Sequence, residues 1–180
     1  MFVRIATAAI VVMASAVPSW AAQRENFELF QDVSQQVLRY PQYTIFDSLH
    51  AEVQDGVVTL TGKVTMPYKA RDLEHRVAQV DGVRQVRNEI TTLPVSSFDN
   101  DLRFRIARAI YGNSHFWRYG AMVNPPIHII VDGGRVTLEG VVNSDMDRML
   151  ARSIASSFNA FSVTSDLKTD AEVEQELERL

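Results

Sequence analysis

Four histidines, at positions 50, 75, 115 and 128, are the residues of this 180-residue chain whose type suits acid–base or metal chemistry near neutral pH. Their spacing argues against both. There is no HExxH pair and no cysteine, so the sequence assembles no ligand set and we expect neither metal nor cofactor. Nucleophile chemistry is equally unsupported: GxSxG is absent, the serines fall at linker and helix positions, and Asp55 and Asp132 read as turn residues. A noncatalytic protein is expected. The segment that stands out is GNSHFWRYGAMVNPP, Gly112 to Pro126, where Phe116, Trp117 and Tyr119 surround Arg118 beside His115. Trp and Tyr suit the boundary between lipid headgroups and hydrocarbon because an apolar body carries a polar tip, and arginine pairs with phosphate. Just upstream, Arg103, Arg105 and Arg108 accompany Phe104. The candidate lipid-binding residues are therefore Phe116, Trp117, Arg118, Tyr119, Arg105 and Arg108. The competing reading is that the three aromatics close a small core or an internal interface. A weaker basic group, Lys69, Arg71 and Arg76, is interleaved with Asp72 and Glu74 and reads as a solvated helix face.

The framework that must position these residues is duplicated. VQDGVVTLTGKV, Val53 to Val64, recurs 78 residues later as VDGGRVTLEGVV, Val131 to Val142. Each copy alternates apolar and polar residues around Asp-Gly or Gly-Gly, the signature of a two-residue hairpin. With Asp55 and Gly56 in the loop, Val53 faces Val58, Ala51 faces Leu60 and Leu49 faces Gly62. The second copy pairs Val131 with Val136, Ile129 with Leu138 and Ile127 with Gly140. His50 and His128 share one repeat position on the opposite, polar face, which ancestry explains without a metal.

Amphipathic helices flank each hairpin. Before it come Phe30, Val33 and Val37 in the first copy and Leu102, Ile106, Ala109 and Ile110 in the second. After it come Met66, Ala70, Leu73, Val77 and Val80, with Thr65 as the expected N-cap and Pro67 in the first turn. The second copy offers Leu150, Ala151, Ile154 and Phe158, capped by Asn143 or Ser144. Short alternating runs, Val83 to Ile90 and Phe161 to Leu167, supply third strands. The fold class is α+β: two small α-β-β-α-β domains in tandem, each a three-stranded sheet with two helices packed on one face. Units of about 70 residues sit near the lower size limit for an independent core, so docking should help both.

The succession of Asp55, Gly56, Val58, Thr59, Leu60, Gly62 and Val64, then Gly82, Val83, Val86 and Asn88, resembles the BON domain, named for osmotically induced and nodulation-related bacterial proteins. Residues Pro125 to Val142 match it again, although the later turn, Asn159, Ala160, Phe161, is one residue shorter and lacks the glycine. The resemblance implies an envelope protein that binds phospholipid membranes.

The opening MFVRIATAAIVVMASAVPSWAA carries Arg4, an apolar stretch from Ile5 to Val17 and a small-x-small site at Ser19, Trp20, Ala21. We read residues 1–21 as a cleaved signal peptide, giving a periplasmic or secreted protein. The expected domains span residues 28–93 and 101–168, joined by a linker over 94–100 and followed by an acidic tail over 169–180 that reads as a short helix capped by Thr169 or Asp170. With 18 Lys and Arg against 22 Asp and Glu, the chain is mildly acidic and nucleic acid is not expected as a partner. The leading expectation is peripheral association with an anionic phospholipid surface, supporting envelope integrity under stress. The rival is a soluble module that binds another envelope protein.

Overall fold

The computed structural model describes the backbone of residues 19–177 and the side-chain surroundings of residues 25–175. The expected signal peptide thus lies outside the described residues except for its last three, which begin the first helix. In order, the elements are α1 (Ser19–Leu38), β1 (Ser48–Gln54), β2 (Val57–Val64), α2 (Pro67–Val77) and β3 (Gln85–Thr92). The second unit contains α3 (Ser97–Tyr111), a 3-10 turn (Ser114–Phe116), the single helical turn α4 (Trp117–Gly120), β4 (Ile127–Asp132), β5 (Arg135–Val142), α5 (Asp145–Ser156) and β6 (Ser162–Thr169). A last helix, α6 (Asp170–Leu177), follows. Two three-stranded sheets form, ordered β1-β2-β3 and β4-β5-β6, with the third strand parallel to the second in each. Helix α3 starts inside the stretch read as a linker.

Both hairpins take the register that alternation dictates: Val53 pairs with Val58 and Ala51 with Leu60, then Val131 with Val136 and Ile129 with Leu138. The turns have φ of 50° and 75° at Asp55 and Gly56, and of 57° and 74° at Gly133 and Gly134, as a type I′ turn requires. The repeated glycine has its own cause. A Cβ at Gly62 would lie 2.2 Å from the Ser48 carbonyl oxygen, and one at Gly140 would lie 1.8 Å from that of Pro126. The first strand of each hairpin crosses the second too closely there for any side chain.

Apolar stripes fill one side of each sheet. In the first unit Leu29, Val33 and Val37 of α1 meet Leu73 and Val77 of α2 over Val58, Leu60 and Val64. The expected stripe was off by one at its start: Leu29 is buried, whereas Phe30 is exposed. In the second unit Leu102, Ile106 and Ile110 of α3 meet Ala151 and Ala155 of α5 over Ile129, Val136 and Leu138. Full burial of such aliphatic side chains is worth roughly 1.5–3 kcal/mol each.

The helix starts differ from one another. Ser144 caps α5 by accepting the Asp147 N–H, as the sequence suggests. Thr65 does not cap α2. Its N–H and hydroxyl both donate to Asp47 Oδ1, at 2.8 and 2.9 Å, and the helix opens on Met66 and Pro67 without a side-chain cap. Thr169 and Glu172 form a reciprocal capping box at α6, and Glu172 also accepts from Arg148 at 2.9 Å, fastening this helix to the second unit. Before β3 the chain turns at Gly82, φ 92°, and Arg84 N–H reaches the Gly56 carbonyl at 2.7 Å. Before β6 the shorter turn closes instead with Ala160 N–H on the Phe158 carbonyl, and Phe161 N–H reaches Gly134 at 2.8 Å. A tight three-residue bond replaces the left-handed glycine.

The two units dock through the helix-free side of the sheets and the loop over residues 39–47. Ile45 offers its carbonyl to the Ile129 N–H at 2.7 Å, on the edge of β4. Phe46 packs edge-on against Phe104, with centroids 4.9 Å apart. Lys63 bridges to Asp132 at 2.5 Å, and Ser48 and His50 both reach Glu139. His128 Nδ1 lies 2.6 Å from the Asp47 carbonyl. The repeat-related histidines therefore both serve the joint, with unlike partners. Burial pushes His128 below the usual histidine range, whereas the Glu139 carboxylate raises His50.

Candidate functional site

The aromatic loop is divided by the fold. Asn113 caps the 3-10 turn, accepting the His115 N–H at 2.9 Å, and α4 continues directly from it. The 3-10 turn and α4 point Phe116 and Tyr119 inward, 0% and 1% exposed, where they join the core of the second unit 5.8 Å apart. Those two candidates are core residues. Trp117, between them, is 71% exposed.

Asp147, buried in the first turn of α5, holds this arrangement. Its Oδ2 lies 2.6 Å from the Tyr119 hydroxyl and 3.1 Å from Arg118 Nη2, while Oδ1 lies 2.6 Å from His115 Nε2. The Tyr119 hydroxyl in turn accepts the Asn143 N–H at 2.9 Å. Burial alone would raise the Asp147 carboxyl. The hydrogen bonds from Tyr119 and His115, with the charge of Arg118, prevail and hold it below the ordinary carboxylate range. Burial and its bond to Asp147 raise Tyr119. The cluster has the chemistry of a brace: both oxygens of a buried carboxylate are engaged by side chains of the loop it holds.

The remaining candidates lie around this brace. Arg118 is half exposed and shared with Asp147 and the Tyr119 ring. Arg105 bonds Asp101 at 3.4 Å and lies over the Phe158 ring, and Arg108 is exposed one turn further along α3. Arg103 is not part of the surface. It is buried, with Nη2 donating to the Val131 carbonyl at 2.8 Å. A few residues past Trp117, Met122 and Val123 are exposed, and Asn124 Nδ2 donates to the backbone carbonyl of Leu38, itself exposed, at 3.4 Å. At the turn end of the first unit a groove is lined by Glu25, Glu28, Asp32, Asp55 and Asp81, with Arg84 as its cation. Among the described residues no group of three His, Asp or Glu side chains is placed to hold a metal ion, and no helix is long and apolar enough to cross a membrane.

Besides Asp147, sequence reasoning missed two more buried acids. Asp99 receives both turn amides of the second hairpin, Gly133 N–H at 2.9 Å and Gly134 N–H at 2.8 Å. Asn26 does the same for Asp55 N–H in the first unit. Ser96 followed by Asp99 has helix-start spacing, and Ser96 does cap that amide, so this signal was available. Asp47 is fully buried and gathers Lys69 Nζ at 2.6 Å, the Thr44 N–H and hydroxyl, and those of Thr65. The spacing of Thr44 and Asp47 is local, but no spacing announces the donors from Thr65 and Lys69, which the fold brings in from beyond the hairpin.

No curated protein matches the chain. Among solved structures it is similar to CdsD of Chlamydia trachomatis, described as a structural protein of the type III secretion system, at 12% identity over 85% of this chain and 99% of that one, TM-score 0.30. It is also similar to a structure of the CdsD C-terminal domain, at 15% identity over 84% of this chain and 69% of that one, TM-score 0.34. The BON domain family model matches residues 30–94 and again residues 99–175. Each match overlies one αββαβ unit and together they span most of the sequence, so the chain belongs to the BON-domain family and carries two such domains in tandem.

Proposed function

We propose that this protein is a noncatalytic component of the bacterial envelope that associates peripherally with anionic phospholipid, with Trp117 as its anchor, and so supports envelope integrity under stress. The observation that carries the reading is an indole 71% exposed on a loop whose neighbours Phe116 and Tyr119 are buried. The brace around Asp147 holds that loop, so inserting Trp117 orders little that is not already ordered. Burying the exposed indole is worth roughly 3 kcal/mol. Exposed Met122 and Val123 follow Trp117 in the same loop, and Arg105 and Arg108 supply charge for headgroup phosphate. The acidic groove of the first unit is repelled by the same surface, which favours contact through the second unit.

Flotation of residues 22–180 with phosphatidylglycerol and phosphatidylcholine vesicles tests this. Binding to the anionic vesicles that weakens with salt and drops in Trp117→Ala supports the reading. No flotation at low salt, or undiminished flotation of the variant, refutes the assignment to Trp117.

A protein partner is favoured by a different observation. Phe98 and Phe161 stack with centroids 6.5 Å apart, 51% and 80% exposed, beside the turn glycine Gly134. Should lipid binding fail, this aromatic pair is the surface to use in a search for an envelope protein.

A further inference from the structure

Strand β3 forms one border of the first sheet, and among the described residues no segment pairs with its outer side. Two of the other three borders are more occupied. Ile45 bonds the edge of β4, while on β6 Arg148 takes the Leu167 carbonyl and Glu172 the Thr169 N–H. Leu93 N–H donates to the Val64 carbonyl at 2.9 Å, and this fixes the alternation along β3. Gln85, Arg87, Glu89 and Thr91 turn their amides toward β2. Val86, Asn88, Ile90 and Thr92 turn theirs outward. One outward donor is already engaged, since Ile90 N–H lies 3.2 Å from Asn88 Oδ1.

We propose that β3 pairs antiparallel with β3 of a second copy of this chain, about a two-fold axis at Asn88, so that the two first sheets become one. The N–H of each Asn88 then meets the carbonyl of the other, and each Val86 N–H meets the opposite Ile90 carbonyl. The bond inside each chain from Ile90 to Asn88 need not break. On the core side, half-buried Val86 comes to face half-buried Ile90 of the other copy.

Charge selects this register. On the helix-free side, with Asn88 on the axis, Arg87 faces Glu89 of the second copy and Glu89 faces its Arg87. The neighbouring registers that keep outward amides opposed put the axis at Arg87 or at Glu89. Each sets two like charges directly against one another, which is destabilising. Both side chains are exposed, as the pairing needs. Charged residues on an edge strand ordinarily discourage association. Here the two signs are spaced so that they favour the register with Asn88 on the axis and discourage the two nearest to it.

Sedimentation of residues 22–180 across a concentration series, with folding checked by circular dichroism, tests the proposal. The parent should form a dimer that dissociates on dilution. Arg87→Glu and Glu89→Arg should each raise the dissociation constant by roughly tenfold, because attractive pairs become repulsive. Mixing the two single variants should produce a heterodimer, since one chain then carries two glutamates and the other two arginines. The double variant R87E/E89R should dimerise like the parent. A parent that stays monomeric throughout, or single variants that dimerise undiminished and show no preference for each other, would overturn the proposal.

Discussion

Replacing Asp47 by Asn should unfold the first unit far more easily than the loss of one surface charge would suggest. The carboxylate is fully buried and its partner Lys69 is 5% exposed by side chain, 2.6 Å away. An asparagine keeps one acceptor oxygen but turns an NH2 group toward donors, leaving the Lys69 ammonium buried without a counter-charge. Breaking a buried pair in this way costs about 3–5 kcal/mol. Amides of Thr44 and Thr65 also lean on the carboxylate, so the upper part of that range is expected. Against a typical domain stability of about 5–15 kcal/mol, the loss is a large share. Lys69→Met should cost less, because Asp47 retains both threonines, and the double variant should cost less than the sum of the singles. Acid adds an independent signature. Burial raises the Asp47 carboxyl, but the bonds from Lys69, Thr65 and Thr44 together pull it below its ordinary value. A depressed folded-state value gives stability that is present above the unfolded value, about 3.9, and lost as pH falls through the folded one. Asp47→Asn should therefore flatten the acid limb. Urea denaturation followed by circular dichroism at neutral and acidic pH measures both effects. A variant within about 1 kcal/mol of the parent, with an unchanged acid limb, would refute the reasoning.

Gly140→Ala should destabilise the second unit by several kcal/mol, since its Cβ would meet the Pro126 carbonyl oxygen at 1.8 Å at a φ of 122°; thermal melts read the loss. Tyr119→Phe removes the hydroxyl shared by Asp147 and the Asn143 amide and should cost about 1–3 kcal/mol, whereas Trp117→Ala, at an exposed site, should stay within about 0.5 kcal/mol in the same melts. Asp99→Ala strands two turn amides and should cost about 2–4 kcal/mol, seen as faster hydrogen exchange at Gly133 and Gly134 than in the parent.

The hairpins could be read residue by residue because alternation and a type I′ turn leave one register that buries a continuous apolar face. Helix faces were harder. Leu29 and Phe30 are both apolar, and a stripe begun at either continues through Val33 and Val37. What decides is that Leu29, Val33 and Val37 correspond to Leu102, Ile106 and Ile110 at a spacing of 73, whereas the hairpins repeat at 78. The difference is taken up between α3 and β4, where the 3-10 turn and α4 occur. The aromatic loop is that extra length, so the first unit offered no counterpart from which to judge Phe116, Trp117 and Tyr119. Composition marked the loop as unusual, but which aromatics turn inward depends on Asp147, an acid some thirty residues later in the chain. Asp47 was illegible for the same reason: its role exists only once residues 44, 65 and 69 have been brought together.

The joint between the units bears on how such chains can be recombined. His50 and His128 began as one position, yet His50 now needs Glu139, and His128 needs the backbone of Asp47. At the matching repeat position Thr61 stands for Glu139 and Pro125 for Asp47. A chain built from the first unit twice would offer His50 a threonine hydroxyl in place of the Glu139 carboxylate. Shuffling single units among relatives therefore breaks the seam, while exchanging the pair as one block preserves it. Duplication made the halves alike, and the contact they now share has made them inheritable only together.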